Sequence, residues 1–164
     1  MGSTVDCIIE TYRPEFRDAY EQLNRDWLES NGLLEDADLD YLAHPERLIL
    51  LPGGQIYFAV DRGRVVGTCS AIPVSPTVVE LAKLAVDRSV RGRGIGRTLC
   101  EAVVEFARQK AAGTVVLTSS SVLVPAIRLY ESLGFRHAPM PPDEVRYKTA
   151  DVYMILNLLN GETA

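Results

Sequence analysis

The sequence has few residues that could crosslink it, bind a transition metal or span a membrane. Its three cysteines, Cys7, Cys69 and Cys100, are an odd number without a C-x-x-C pair, so we expect reduced thiols in a reducing compartment. The two histidines, His44 and His137, lack the spacing of metal ligands, and we expect no metal site. No stretch approaches the ~20 consecutive apolar residues of a transmembrane helix, so no membrane association is expected.

The sequence also lacks a secretion signal and an excess of positive charge. Its first residues contain neither the basic nor the apolar region of a signal peptide, so we expect a cytoplasmic protein. Seventeen Lys and Arg residues stand against 22 Asp and Glu residues, a net charge of −5. Nucleic-acid-binding domains are usually basic over one face, so no nucleic-acid partner is expected.

The composition is that of a globular domain. Of the 164 residues, 47% are hydrophobic and 24% are charged, which is close to the globular averages of roughly 45–50% and ~25%. Since a domain typically has ~150 residues, we assign residues 1–164 to a single domain.

Hydrophobic periodicity, prolines and glycines predict the element order β-α-α-β-β-β-α-β-α-β-β. The predicted strands are 5–12, 56–60, 64–71, 77–86, 115–118, 135–138 and 152–158. The predicted helices are 14–31, 36–44, 95–112 and 125–133. The pattern of strand 77–86 is interrupted, which indicates a β-bulge, and Gly113 is expected to end the third helix.

The most informative segment is the glycine-rich turn at residues 91–97, which follows a predicted strand and begins a predicted helix. Glycines let backbone N–H groups converge on one point, and a helix N-terminus adds partial positive charge there. Four basic side chains fall in or beside this turn of an otherwise acidic chain: Arg88, Arg91, Arg93 and Arg97. Together these features predict a site for an anion, and a diphosphate fits well.

The spacing of the glycines argues against the two common nucleotide-binding loops. Gly92, Gly94 and Gly96 alternate, whereas a dinucleotide-binding loop has G-x-G-x-x-G and an acidic residue about 20 positions later. A P-loop needs G-x-x-x-x-G-K-[ST], which the sequence does not contain.

Two segments resemble the GNAT superfamily of acyl-CoA-dependent N-acyltransferases. The run from Arg91 to Gly96 resembles the family signature R/Q-x-x-G-x-G/A, and the run from Ala126 to Phe135 resembles the segment A-x-x-L-Y-x-x-x-G-F. The resemblance covers roughly residues 5–159. It implies an α/β fold with a central mixed, mostly antiparallel sheet flanked by helices, and an acetyl-CoA-dependent N-acetyltransferase activity.

The resemblance also implies the residues that bind the coenzyme. The main chain of Leu84, Ala85 and Val86 would pair with the peptide-like pantetheine arm along an open strand edge. The diphosphate would lie on the backbone N–H groups of the turn, whose residues are Arg91, Gly92, Arg93, Gly94, Ile95, Gly96 and Arg97. Many relatives carry a coenzyme-binding asparagine at the position of Leu123, so a serine side chain or the backbone would have to replace that contact here.

The catalytic residues implied are Tyr130 and Glu80. Tyr130 matches the family position that often donates a proton to the departing thiolate. Glu80 precedes the coenzyme-binding segment, where relatives often carry a carboxylate, and is the candidate base; a strand-end surface carboxylate and a water relay are the alternatives. Lys83 stands within a hydrophobic strand, where it could pair with Glu80, bind a substrate carboxylate or extend to solvent.

The expected function is transfer of an acetyl group from acetyl-CoA to a primary amine of a small molecule, by direct attack in a ternary complex. Candidate walls of the acceptor site are Asn24, Trp27, Glu35 and residues 139–147. The alternatives are a peptide or protein amine as acceptor, a non-catalytic acyl-CoA sensor, and a subunit of a larger assembly. A homodimer is compatible with the sequence.

Overall fold

The computed structural model describes residues 7–159, and its centre is a seven-stranded mixed sheet. The strands are β1 Cys7–Thr11, β2 Gln55–Asp61, β3 Arg64–Ser75, β4 Val78–Val86, β5 Thr114–Ser119, β6 Arg136–Ala138 and β7 Val152–Asn157. Their order across the sheet is β1-β2-β3-β4-β5-β7-β6, and every neighbouring pair is antiparallel except β4 and β5. This topology confirms the predicted mixed, mostly antiparallel sheet.

Within residues 7–159, four α-helices flank the sheet: α1 Arg17–Ser30, α2 Asp36–Ala43, α3 Ile95–Gln109 and α4 Val124–Ser132. A 3₁₀ turn that starts at Pro14 precedes α1, so the first turn of the predicted helix is tighter than an α-helix. Pro125 lies in the first turn of α4, and Gly134 follows that helix with φ +99°, as the sequence predicts. The first two residues of predicted strand 5–12 lie outside the described residues.

The predicted end of the third helix is wrong. Helix α3 ends at Gln109, three residues early, and Ala111 has the left-handed backbone (φ +56°) expected of a terminating glycine. Gly113 lies in extended chain instead: its N–H donates to Thr77 and its carbonyl accepts from Leu158. The sequence also gave no indication of the helical turn Glu46–Leu50 before β2.

The two faces of the sheet carry separate hydrophobic cores. On one face, α3 packs its buried side chains, Leu99 and Val103 among them, against β3, β4 and β5. On the other face, Phe16 and Tyr20 pack with Leu42 of α2 and Phe58 of β2. Burying an apolar side chain of this size contributes roughly 1.5–3 kcal/mol, so both cores hold the helices to the sheet.

The sheet opens between β4 and β5. Strand β4 pairs with β3 along nearly all of its length, but its ladder with β5 is limited to Val78, Val79 and Glu80. Strand β5 continues to pair with β7 as far as Ser119. Residues 81–86 of β4 therefore keep β3 on one side and face a gap on the other.

A β-bulge lies within the open stretch of β4 and confirms the predicted irregularity. Thr68 pairs with Ala85 and Ser70 pairs with Ala82, so two β4 residues stand opposite one β3 residue. One of the two, Lys83, has φ +57°, a left-handed conformation that is uncommon for a residue with a Cβ. The bulge changes which side chains leave the two faces of the strand just where the gap begins.

Candidate active site

The gap between β4 and β5 forms a cleft that reaches from the sheet to α1, α4 and the segment before β7. Its lining combines apolar walls with a few polar side chains. The polar and aromatic members are Asn24, Trp27, Asp38, Glu80, Lys83, Thr118, Ser119, Ser120, Tyr130, Tyr147 and Thr149. A half-open cleft with convergent polar groups is a usual form of a small-molecule site.

The glycine turn lies at one end of this region, at the start of α3. Gly92 (φ +82°) and Gly94 (φ +79°) both have left-handed backbones, and an added Cβ would meet no atom within 4 Å at either position. Helix α3 begins after Gly94 without a side-chain cap. The N–H groups of its first turn are therefore left for another acceptor, which fits the predicted diphosphate site.

The arginines of the turn have different surroundings. The guanidinium of Arg91 lies 4.6 Å from the ring centre of Trp27, and its Nε donates to the carbonyl of Val86 over 3.3 Å. Partial burial, together with nearby Arg88, lowers the pKa of Arg91. These two arginines, Val86 and Trp27 line a shallow depression beside the cleft, so the turn and the cleft share Trp27 as a wall.

The other two arginines of the turn face acidic or polar neighbours on the surface. Arg93 lies 4.0 Å from the carboxylate of Asp61, and Arg97 lies 3.8 Å from Glu101. Exposed ion pairs of this kind contribute little, about 0–1 kcal/mol, and leave both cations able to turn toward an anion.

The three residues predicted to pair with the pantetheine arm lie on the open stretch of β4. Leu84 lines the cleft, Ala85 is buried, and Val86 lines the depression that contains Arg91. The structure therefore joins the glycine turn to the cleft along one strand edge.

Tyr130 lies at the cleft from the α4 side. Its side chain is buried, packs edge to face on Phe135 with ring centres 6.0 Å apart, and still contributes to the cleft lining. Burial raises the pKa of Tyr130 well above its usual value, and the thiols of Cys100 and Cys69 add to this effect. The hydroxyl is therefore protonated at neutral pH, as a proton donor must be.

Glu80 is buried at the cleft and pairs with Arg146, which lies in the predicted wall segment 139–147 but was not predicted to contact Glu80. Its two carboxylate oxygens accept hydrogen bonds of 3.2 and 2.7 Å from the guanidinium of Arg146. Arg146 also forms bonds of 2.9 and 2.8 Å to Glu144, and these bonds, with those to Glu80, raise the pKa of Arg146. Glu80 is therefore one member of a three-residue charged cluster.

Lys83 pairs with Asp38 of α2 rather than with Glu80. Both side chains are buried, with exposed fractions of 8% and 3%. The Lys83 ammonium also donates to the hydroxyl of Tyr147 over 3.1 Å and lies 4.9 Å from the centre of that ring. Burial raises the pKa of Tyr147 above its usual range, and the nearby carboxylate of Asp38 adds to this effect.

The predicted walls of the acceptor site meet in part. Asn24, Trp27 and Tyr147 line the cleft, whereas Glu35 lies beside it and binds the chain at residues 148–149. Leu123, which stands where relatives carry asparagine, also lines the cleft, next to the buried side chain of Ser120.

Within residues 7–159, no group of three or more His, Cys, Asp or Glu side chains is placed to bind a metal ion. None of the helices in the same range is long and apolar enough to cross a membrane.

Comparison with protein families gives a match over most of the chain. The family model described as acetyltransferase (GNAT) family matches residues 9–135. Human N-acetylaspartate synthetase is 44% identical over 87 residues, which cover 52% of this chain and 29% of the relative. Human N-acetyltransferase 8B is 39% identical over 89 residues, covering 51% and 39%. The match thus spans about a third of the length of these relatives.

Longer matches come from a fungal relative and from solved structures. An N-acetyltransferase of Schizosaccharomyces pombe is 29% identical over 139 residues, which cover 78% of this chain and 85% of the relative. A GNAT-family acetyltransferase of Staphylococcus aureus has a TM-score of 0.85 at 20% identity, covering 93% and 99%. An acetyltransferase of Salmonella typhimurium, solved with its cofactor acetyl-CoA, has a TM-score of 0.73 at 25% identity, covering 93% and 94%.

Proposed function

This chain belongs to the GNAT family of acetyltransferases, and from that premise we propose that it transfers the acetyl group of acetyl-CoA to a primary amine of a small molecule. The observation that carries the proposal is the continuous path from the glycine turn, along the open edge of β4, to the cleft that Tyr130 lines. This path offers backbone donors for a diphosphate and then a strand edge for a peptide-like arm.

We propose the following coenzyme contacts on this path. The N–H groups of residues 92–97 would hold the diphosphate, with Arg91 able to leave the Trp27 ring and add its charge. The main chain of residues 84–86 would pair with the pantetheine arm. Ser120, buried beside Leu123, is the polar side chain placed to replace the asparagine of relatives.

The acceptor end of the cleft supports a small acceptor rather than a folded protein. Residues 139–151, here called the strap, cross this end and contribute Tyr147 and Thr149 to the lining. The carboxylate of Glu35 accepts from the N–H groups of residues 148 and 149 over 2.7 and 3.0 Å, and Arg146 ties the strap to β4. One group of relatives is named for an acetylated small molecule, N-acetylaspartate, which agrees with a small acceptor.

The chemistry requires three contributions from this chain. When bound, acetyl-CoA supplies an acetyl thioester whose carbonyl carbon an amine can attack. At neutral pH the amine is mostly an ammonium, so it first loses one proton to free the lone pair that attacks. A second proton leaves the nitrogen as the C–N bond forms, and the C–S bond then breaks to give the amide and the coenzyme thiol. The chain must accept the first proton, bind the negative charge that develops on the carbonyl oxygen, and return a proton to the sulfur.

We assign these three tasks to residues around the cleft. Tyr130 donates the proton to the sulfur, since its hydroxyl is protonated at neutral pH and its side chain lines the cleft. A backbone N–H of residues 84–86 binds the developing oxyanion. Glu80 is the candidate base, directly or through a water, and its bonds to Arg146 fix the orientation of its carboxylate.

Calorimetry and a thiol-release assay together test the proposal. We expect acetyl-CoA to bind the purified chain, and at ~100 times its Kd to stabilise it by about 2.7 kcal/mol. We also expect free coenzyme thiol to appear when a panel of small amines is added. Binding without thiol release for any amine would indicate a sensor, and absence of binding would overturn the proposal.

A further inference from the structure

Lys83 is a buried cation that the proposed mechanism does not use. Lysine ammonium groups are rarely buried and usually extend to water. Here the β-bulge and its left-handed backbone direct the side chain toward α2, where it lines the cleft with only 8% of its surface exposed. The fold thus places an ammonium group, which water normally hydrates strongly, at the acceptor end of the cleft.

The hydrogen bonds around Lys83 leave one N–H of Lys83 and the O–H of Tyr147 available to a ligand. An ammonium has three N–H donors, and Lys83 directs one to Asp38 and one to the Tyr147 hydroxyl. The Tyr147 oxygen accepts that bond, so its own O–H is also available. Among residues 7–159, the third N–H of Lys83 and the O–H of Tyr147 have no acceptor, and both side chains line the cleft.

The carboxylates of the cleft, by contrast, are already engaged. The two oxygens of Asp38 accept from Lys83 and from the N–H of Glu35, and both oxygens of Glu80 accept from Arg146. This end of the cleft therefore offers donors to a ligand. A carboxylate would take up those donors, whereas the second cation of a diamine would have to share carboxylates that already pair with Lys83 and Arg146.

Charge balance restricts the form of such a ligand. Lys83 and Asp38 form a neutral pair, and the cluster of Arg146 with Glu80 and Glu144 carries one net negative charge, so a ligand with a carboxylate and no compensating cation would be repelled. A zwitterion brings one ammonium and one carboxylate, so it adds no net charge. We infer that the acyl acceptor is a small amino acid-type molecule whose carboxylate binds the Lys83 ammonium and the Tyr147 hydroxyl; this assignment rests on the proposed acetyl transfer.

Matched acids and amides test the inference. The probes are glycine, L-alanine, L-methionine, L-lysine and L-aspartate, each compared with its α-carboxamide. Binding is measured by calorimetry with free coenzyme A present, and kcat/KM by thiol release with acetyl-CoA. For the best acceptor we expect the acid to exceed its amide by about tenfold or more in both quantities, as for a hydrogen bond to a charged group.

The double variant Lys83→Met/Asp38→Asn and the single variant Tyr147→Phe test whether these side chains cause the preference for the acid over its amide. The double variant removes both charges together, so it leaves no buried unpaired carboxylate that could unfold the chain. We expect it to abolish the preference for the acid and Tyr147→Phe to reduce it. Lys110→Met, at the exposed end of α3, is the matched control and should keep the preference.

The outcomes separate this inference from the proposed function. Turnover of amides or plain amines at rates equal to those of the acids would overturn the inference and leave acetyl transfer intact. A preference for the acid that survives in Lys83→Met/Asp38→Asn would overturn it as well. Lys83-dependent binding of an acid without thiol release would support the inference and contradict the transfer.

Discussion

The proposed donor side and the proposed acceptor side of the cleft are built from different parts of the chain. The donor side consists of main chain: the glycine turn, the first turn of α3 and the open edge of β4. The acceptor side consists of side chains from three distant segments, at residues 35–41, 80–83 and 144–149. Tyr130 lies where the two sides meet.

This difference explains why only the proposed donor side has a recognisable sequence motif. A backbone site needs glycine at fixed positions within a few residues, so it leaves a local motif. The side-chain site depends on pairs separated by 45, 66 and 113 residues, namely Lys83–Asp38, Glu80–Arg146 and Glu35–Lys148. Substitutions on each side test whether acetyl-CoA binding and acceptor binding can be weakened independently.

The largest effect is expected at the junction. Tyr130→Phe removes the proposed proton donor and should lower kcat by ~100-fold or more, since general acids contribute about 10²–10⁴-fold. The Kd for acetyl-CoA should change little, because the variant keeps the ring and its packing on Phe135. Tyr57→Phe, which removes a hydroxyl from β2, is the control. An unchanged kcat at saturating substrates would reject the role of Tyr130.

The next effect should fall on the acceptor side alone. Arg146→Met leaves Glu80 and Glu144 without their shared partner, so we expect a loss of about 2 kcal/mol in the free energy of unfolding and a roughly 30-fold rise in acceptor KM. Urea unfolding and steady-state kinetics measure these changes, and Arg136→Met at the exposed β6 is the control. A comparable loss of acetyl-CoA affinity would show that the two sides are not separable.

A smaller effect should fall on the donor side alone. Gly94→Ala places a Cβ on a left-handed backbone, which costs roughly 1–2 kcal/mol, and should weaken acetyl-CoA binding about tenfold. Gly63→Ala is a matched control, because Gly63 has the same φ of +79° and the same open surroundings in the β2–β3 hairpin. Both variants should lose similar stability, but Gly94→Ala alone should lose acetyl-CoA affinity. Equal affinities in calorimetry would contradict the assignment of the turn.

The smallest effect concerns the strap and is visible in its pH dependence. Partial desolvation raises the pKa of Glu35, but hydrogen bonds from Thr149 and from the N–H groups of residues 148 and 149 outweigh it and lower the pKa below 4.5. A lowered pKa in the folded chain stabilises it above pH 4.5, and this contribution is lost as the pH falls through the folded-state value. Glu35→Gln should therefore unfold with a flatter pH dependence below about pH 4.5. Parallel stability curves for the two proteins would exclude the contribution.

The fold could be predicted from the sequence, the coenzyme-binding residues stay a prediction, and most pairings on the proposed acceptor side were not predicted. Element order, the bulge in β4 and the glycine after α4 follow from local patterns that the structure confirms. The end of α3 was mispredicted because Ala111 adopts the backbone that Gly113 was expected to take. The pairings of Asp38 with Lys83 and of Arg146 with Glu80 were missed, because an acidic residue in a helix and an arginine in a loop carry no signal of their distant partners.

The short ladder between β4 and β5 has a consequence for the unliganded protein. Three residue pairs join the group of strands β1 to β4 to the group β5 to β7. Beyond Glu80 the two groups of strands are not paired with each other. An extended, amide-containing ligand bound along residues 81–86 could form backbone hydrogen bonds with this open edge, as an added strand would. Bound acetyl-CoA would then stabilise the sheet by pairing with its open strand, in addition to supplying the acetyl group.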